Sequence, residues 1–249
     1  MDERKKELII EDPGMLGAIS TRRSFLRALS LGGSIVLLPS VFAACSDDDD
    51  PVDPGNGGNG GNGGDPVVLN LSNDIGILNY AYALEQLEAA FYIEAVSRFS
   101  SNGISDAMER AILTDIRNHE VIHREFLKQA LGTSAIPALA VNFGTATNSR
   151  TSVLQTARTF EDLGVSAYNG AGKYLTDVRN LLIAGKIVSV EARHAAVIRD
   201  ILDTTGRDFA GDTVVNEQGL DVVREPSAVL AAADPFITTT VTIGTAPTP

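Results

Sequence analysis

The sequence predicts an all-α fold, a four-helix bundle with one long crossover between helices 2 and 3 and an irregular C-terminal extension. Three observations carry that prediction. Over residues 74–206 apolar side chains recur at intervals of three and four, the spacing of a single helix face. Glycine-containing breaks divide the stretch into four segments. The connections inside the first pair and inside the second pair are short, whereas residues 132–149, with Pro137 and Gly144, separate the two pairs. Two helical hairpins with one long crossover are distinct from a simple up-down-up-down bundle.

The N-terminal part precedes this fold. Residues 1–45 read as an export signal: Thr21-Arg22-Arg23-Ser24-Phe25-Leu26-Arg27 matches the twin-arginine pattern, with Arg27 where Lys is usual. The apolar residues 28–44 are interrupted by Gly32, Gly33 and Pro39, and fall short of the ~20 that a spanning helix needs. Ala43 and Ala44 precede Cys45, as at a lipoprotein processing site where the cysteine is lipidated and becomes the new N-terminus. The expectation is export by the twin-arginine route and membrane anchoring through Cys45, in the periplasm or at the cell surface. Residues 46–72 form an acidic and then Gly/Asn-rich linker, with too few apolar side chains to offset the entropy of ordering.

Within residues 73–206, the first stripe is Leu78, Tyr82, Glu85, Ala89, Tyr92, Val96 and Phe99, closed by Ser101-Asn102-Gly103. Ser105 is the expected N-cap of the second helix, whose stripe of Leu113, Ile116, Glu120, His123, Leu127 and Ala130 ends at Gly132. The third helix is expected over residues 150–182, with Leu154, Ala157, Glu161, Val165, Tyr168, Ala171 and Leu175 on one face. Gly185 is read as the turn into the fourth, with Ile187, Glu191, His194, Ile198 and Leu202, closed by Gly206. Residues 207–249 form the extension, with a short helix expected over 226–233.

Composition excludes several functions. A net charge of -12 argues against nucleic acid, whose phosphates need clustered Lys and Arg. The single cysteine, Cys45, excludes an intrachain disulfide. With 44% apolar residues and no Trp, the core is built on aliphatic side chains.

The apolar stripes contain polar residues of one kind: Glu85, Glu120, His123, Glu161, Glu191 and His194. A buried carboxylate must be paired or bind a metal, because leaving it alone costs several kcal/mol. Glu120-Val121-Ile122-His123 and Glu191-Ala192-Arg193-His194 are both Glu-x-x-His, a spacing that puts both side chains on neighbouring turns of one face. Glu85 and Glu161 each stand seven residues before a tyrosine, Tyr92 and Tyr168. The chain thus repeats Glu-x6-Tyr then Glu-x-x-His, implying two equivalent metal positions related by a pseudo-twofold. Glu88 lies near the face of Glu85 and rivals it, but Gly164 holds the mirrored place, so symmetry favours Glu85. His119, Tyr92 and Tyr168 are candidates for supporting the ligands or for simple interhelical hydrogen bonds. Gly164, Gly170 and Gly172, each costing ~1 kcal/mol relative to Ala in a helix, are expected to allow close helix approach or to open the metal site to a small molecule.

One Glu from each of two helices with Glu-x-x-His from each of the other two resembles the ligand set of the ferritin-like superfamily of di-iron and di-manganese carboxylate proteins. Across residues 74–206 the chain is most similar to exported ferritin-like proteins related to desiccation-associated proteins. The resemblance implies two iron ions, or manganese, held by the six residues above, with oxygen or peroxide as small-molecule substrate in ferroxidase, oxidase or peroxidase chemistry. It is compatible with a small homo-oligomer. Two other readings stay open: a surface lipoprotein whose bundle is an interaction or stress-protection module with structural or no metal, and a dimanganese catalase.

Overall fold

The computed structural model describes residues 65–203 and 205–247. The twin-arginine segment, Cys45 and most of the linker lie outside the described residues. The described chain is mostly helical, a bundle with a small strand pair. In order it runs β1 (Val67–Asn70), α1 (Asp74–Ser97), α2 (Ala107–Leu131), α3 (Arg150–Ala171), α4 (Val178–Leu202), α5 (Pro226–Ala233) and β2 (Val241–Thr245). No helix among the described residues is long and apolar enough to cross a membrane.

Helix α1 is buried nearly all round, with Tyr80, Leu84, Leu87, Phe91 and Tyr92 all enclosed by neighbouring elements. Asn73 caps it, its side chain accepting from Gly76 N. Asp106, not Ser105, caps α2 by accepting from the backbones of Met108 and Glu109. Gly132, at φ 54, ends α2 in the left-handed region that favours glycine. Ser149 and Ser152 form a reciprocal capping box at the start of α3.

The long crossover lies along α1, held by two buried amides two turns apart. Asn79 donates to Ser134 O and accepts from Ile136 N; Gln86 donates to Pro137 O and accepts from Leu139 N. Phe143 of the crossover joins Phe91, Phe160 and Phe236 in a group of edge-on aromatic contacts.

The turn between α3 and α4 corrects the sequence expectation. It falls at Gly172–Tyr174 and the residues up to Asp177, while Gly185 lies inside α4. The apolar stripe continues through this region, so periodicity could not reveal the break. Polar caps decide it: Asp177 accepts from Arg179 N, and the Asp74 carboxylate of α1 accepts from Thr176 N, Thr176 Oγ1, Asp177 N and Asn180 Nδ2.

The C-terminal residues are integral to the core. Val229 and Ala233 of α5 are fully buried. A Cβ on Gly170 would lie 1.8 Å from Arg224 O, so this glycine lets the tail pass directly over α3. Strand β2 pairs in parallel with β1, Val67 opposite Val241 and Leu69 opposite Ile243. Val141 and Ile237 form an isolated antiparallel bridge that joins the tail to the crossover.

Candidate metal centre

Helices α1 to α4 each send one or two of the sequence-expected residues to the bundle centre. Two groups form: Glu85, Glu120, His123 and Glu191, and Glu120, Glu161, Glu191 and His194, each with ligand atoms within 4.8 Å of one another. Glu120 and Glu191 belong to both, while Glu85 with His123 and Glu161 with His194 flank them on either side.

The two halves mirror each other closely. His123 Nδ1 lies 2.8 Å from Glu191 Oε1, 3.5 Å from Glu85 Oε2 and 3.7 Å from Glu120 Oε2. His194 Nδ1 lies 2.8 Å from Glu120 Oε1, 3.4 Å from Glu161 Oε2 and 3.7 Å from Glu191 Oε2. Each imidazole therefore approaches most closely the carboxylate of the other Glu-x-x-His motif.

These contacts are short, yet they lack hydrogen-bond alignment. Among the described residues, the buried side-chain polar atoms without a hydrogen-bond partner are Tyr80 Oη and eight atoms of this cluster: Glu85 Oε2, both oxygens of Glu120, His123 Nδ1, Glu161 Oε2, both oxygens of Glu191 and His194 Nδ1. Each such atom costs about 1–3 kcal/mol if left alone. Their lone pairs converge on two points. Donors on opposite sides of an ion with bonds of about 2.1 Å stand about 4.2 Å apart, which the spacing of each group accommodates. The donor set fits two metal ions.

Electrostatics agree. Burial raises Glu120 well above the carboxylate range, and raises Glu161 to about 7. Burial would also raise Glu191, but the close imidazoles of His123 and His194 outweigh it and bring Glu191 down to about 2. Burial opposes charge on both imidazoles, yet the carboxylates prevail, pushing His194 up to about 12 and His123 up as well. The cluster is a site built to hold positive charge.

The supporting residues also find partners. The hydroxyl of Tyr92 donates to Glu161 Oε1, and that of Tyr168 donates to Glu85 Oε1, both at 2.5 Å. His119 Nδ1 lies 2.9 Å from His194 Nε2, with the two ring planes within 7° of parallel.

Glu88 stands apart from both groups, but it is buried beside them. A Cβ on Gly164 would lie 2.9 Å from Glu88 Oε1, so this glycine makes room for the fifth carboxylate. Burial, and then Glu120, Glu191, Glu85 and Glu161, raise Glu88 well above the carboxylate range.

One supporting pair escapes sequence reasoning. Buried Arg199 of α4 makes a two-pronged bond to Asp162, the residue after Glu161, and reaches Asp208 in the tail. No local pattern marks it, because Asp162 lies 37 residues from Arg199, on another helix.

The profile of the ferritin-like domain family matches residues 73–204. Among curated proteins none matches the chain.

Proposed function

This chain belongs to the ferritin-like domain family, and on that premise we propose that it is an exported, lipid-anchored protein whose bundle holds two iron ions that react with oxygen or peroxide. The observation that carries the reading is the convergence of eight buried, unpartnered ligand atoms on two points between the helices. Glu85 and His123 would hold one ion, Glu161 and His194 the other, and Glu120 and Glu191 would bridge the two. Four carboxylates and two imidazoles suit iron or manganese better than zinc or copper. Such ions, when bound, supply redox equivalents to oxygen or peroxide.

The chain's own residues prepare the site for that chemistry. Tyr92 and Tyr168 fix the orientation of Glu161 and Glu85, leaving the second oxygen of each carboxylate facing inward. Surrounding Leu, Phe and Ala side chains exclude bulk water, which strengthens every charge interaction inside. The twin-arginine route, which carries folded proteins, allows the metal to be chosen before export.

A small lipid-anchored protein gains little from assembling a storage shell, so turnover rather than storage is the proposed role. Adding Fe(II) and oxygen to the full chain should give a fast optical change that saturates near two Fe per chain. Continued uptake of hundreds of ions into a soluble core, seen by electron microscopy, would overturn the turnover reading in favour of storage. Absence of bound metal in natively exported protein would favour the interaction-module reading. Peroxide turnover by a manganese-loaded form alone would favour a catalase. For the anchor, Cys45→Ser should release the protein from washed membranes with its bundle still folded. Its retention there would assign anchoring to the apolar residues 28–44.

A further inference from the structure

The mirror relation between the half-sites fails at Glu88, opposite Gly164, and again beside the histidine ligands. His119 precedes Glu120, and the corresponding residue before Glu191 is Val190. His119 lies against the imidazole of the opposite motif: its Nδ1 is 2.9 Å from His194 Nε2, and the two rings lie within 7° of parallel. With an ion held on His194 Nδ1, Nε2 would carry the ring proton and donate it to His119 Nδ1. That bond fixes both the tautomer and the rotation of His194. Val190 offers no acceptor to His123, whose side chain is 12% exposed against 5% for His194.

A hydrogen bond to the far nitrogen of a ligating imidazole holds the ring in place and raises its basicity, and losing such a partner costs about 10–100-fold in metal affinity. We propose that the two ion positions are inequivalent, with His119 as the positioning residue that makes the His194 side the tight position and leaves the His123 side weaker and exchangeable.

The proposal rests on reading the cluster as a metal site, and its test separates the two claims. Co(II) is titrated anaerobically into the full chain, followed by visible absorption and by competition with a chelator. Because the shared carboxylates couple the two ions, each position is measured alone. His123→Ala isolates the His194 side, and His194→Ala isolates the His123 side.

The first variant is expected to keep one ion about 10–100-fold more tightly than the second. Adding His119→Leu to His123→Ala should weaken the remaining ion by a similar factor, and His119→Asn, which restores an acceptor near the place of Nδ1, should recover much of it. Circular dichroism of the metal-free variants checks the fold, and His119→Leu alone, which keeps all six ligands, should still lower the first binding constant. Equal affinities in the two ligand variants, or unchanged constants in His119→Leu, would overturn the asymmetry while leaving the metal site intact. A wild-type chain that binds no Co(II), Mn(II) or Fe(II) would overturn both claims.

Discussion

Tyr92 of α1 hydrogen-bonds Glu161 of α3, not Glu85 on its own helix. Seven residues along a helix are about 10 Å, beyond the reach of a hydrogen bond, so each tyrosine needs a carboxylate from elsewhere. Because α1 and α3 run antiparallel, the Glu-x6-Tyr repeat closes reciprocally, with Tyr168 returning to Glu85. Replacing either tyrosine by Phe leaves one carboxylate oxygen unpaired in a buried setting. Tyr92→Phe and Tyr168→Phe should each cost about 1.5–3 kcal/mol in denaturant unfolding of the metal-free protein, and by similar amounts in the two cases. A cost confined to one of them would break the equivalence of the halves.

Glu88 gives a prediction with a pH signature. Its folded-state value is raised, so its contribution to stability is present below the ordinary carboxylate value of 4.5 and is lost as pH rises above it. Glu88→Gln removes that loss. The metal-free variant should therefore fall less in stability than wild type between pH 5 and pH 8, roughly the range where carboxylates ordinarily carry charge. Its metal stoichiometry should stay near that of wild type, whereas Glu85→Gln should lower it. The opposite pattern in elemental analysis would make Glu88 the ligand.

Asp74 behaves in the opposite sense. Burial would raise it, but bonds from Thr176, Asn180 and Asp177 outweigh burial and bring it down to about 2. Its stabilising contribution is present above the ordinary value of 3.8 and is lost as pH falls through about 2. Asp74→Ala should destabilise the protein by about 1 kcal/mol at neutral pH, the size of a helix-capping contribution. The gap to wild type should close on acidification, and a gap independent of pH would exclude the carboxylate as its source.

Phe143 ties the crossover into the aromatic group with Phe91, Phe160 and Phe236. Phe143→Ala should cost about 3–5 kcal/mol by chemical denaturation, since it opens a cavity in a close-packed region. Metal binding by the fraction that remains folded should be unchanged, because no ligand lies on the crossover. A drop in stoichiometry would show that the crossover shapes the site directly.

The site was far more legible in the sequence than its surroundings. Glu-x-x-His is a local pattern whose meaning depends only on helix pitch, so the placement of Glu120 with His123 and of Glu191 with His194 could be read directly. The turn into α4 could not, because hydrophobic periodicity runs on past Gly172, and the residue that pins the turn is Asp74, a hundred positions earlier. Asn79 and Gln86 were equally silent. A buried amide announces itself only through the backbone it binds, here in the crossover. The tail was opaque for the same reason: short strands have little pattern of their own, and β2 gains meaning only beside β1.

That last pairing has a consequence for the order in which the protein is made. Val67, Leu69 and Leu71 are among the first described residues to be synthesised, and each is buried. Their partner strand, which begins at Val241, is among the last. On a ribosome the helical hairpins can form as they emerge, because their contacts are local. The opening strand must wait until Val241–Thr245 has emerged. A product cut short by truncated messenger or stalled translation would carry all six candidate ligands, yet leave an apolar edge uncovered at its start. Closure of the domain thus waits on the segment Val241–Thr245, however early its other elements have formed.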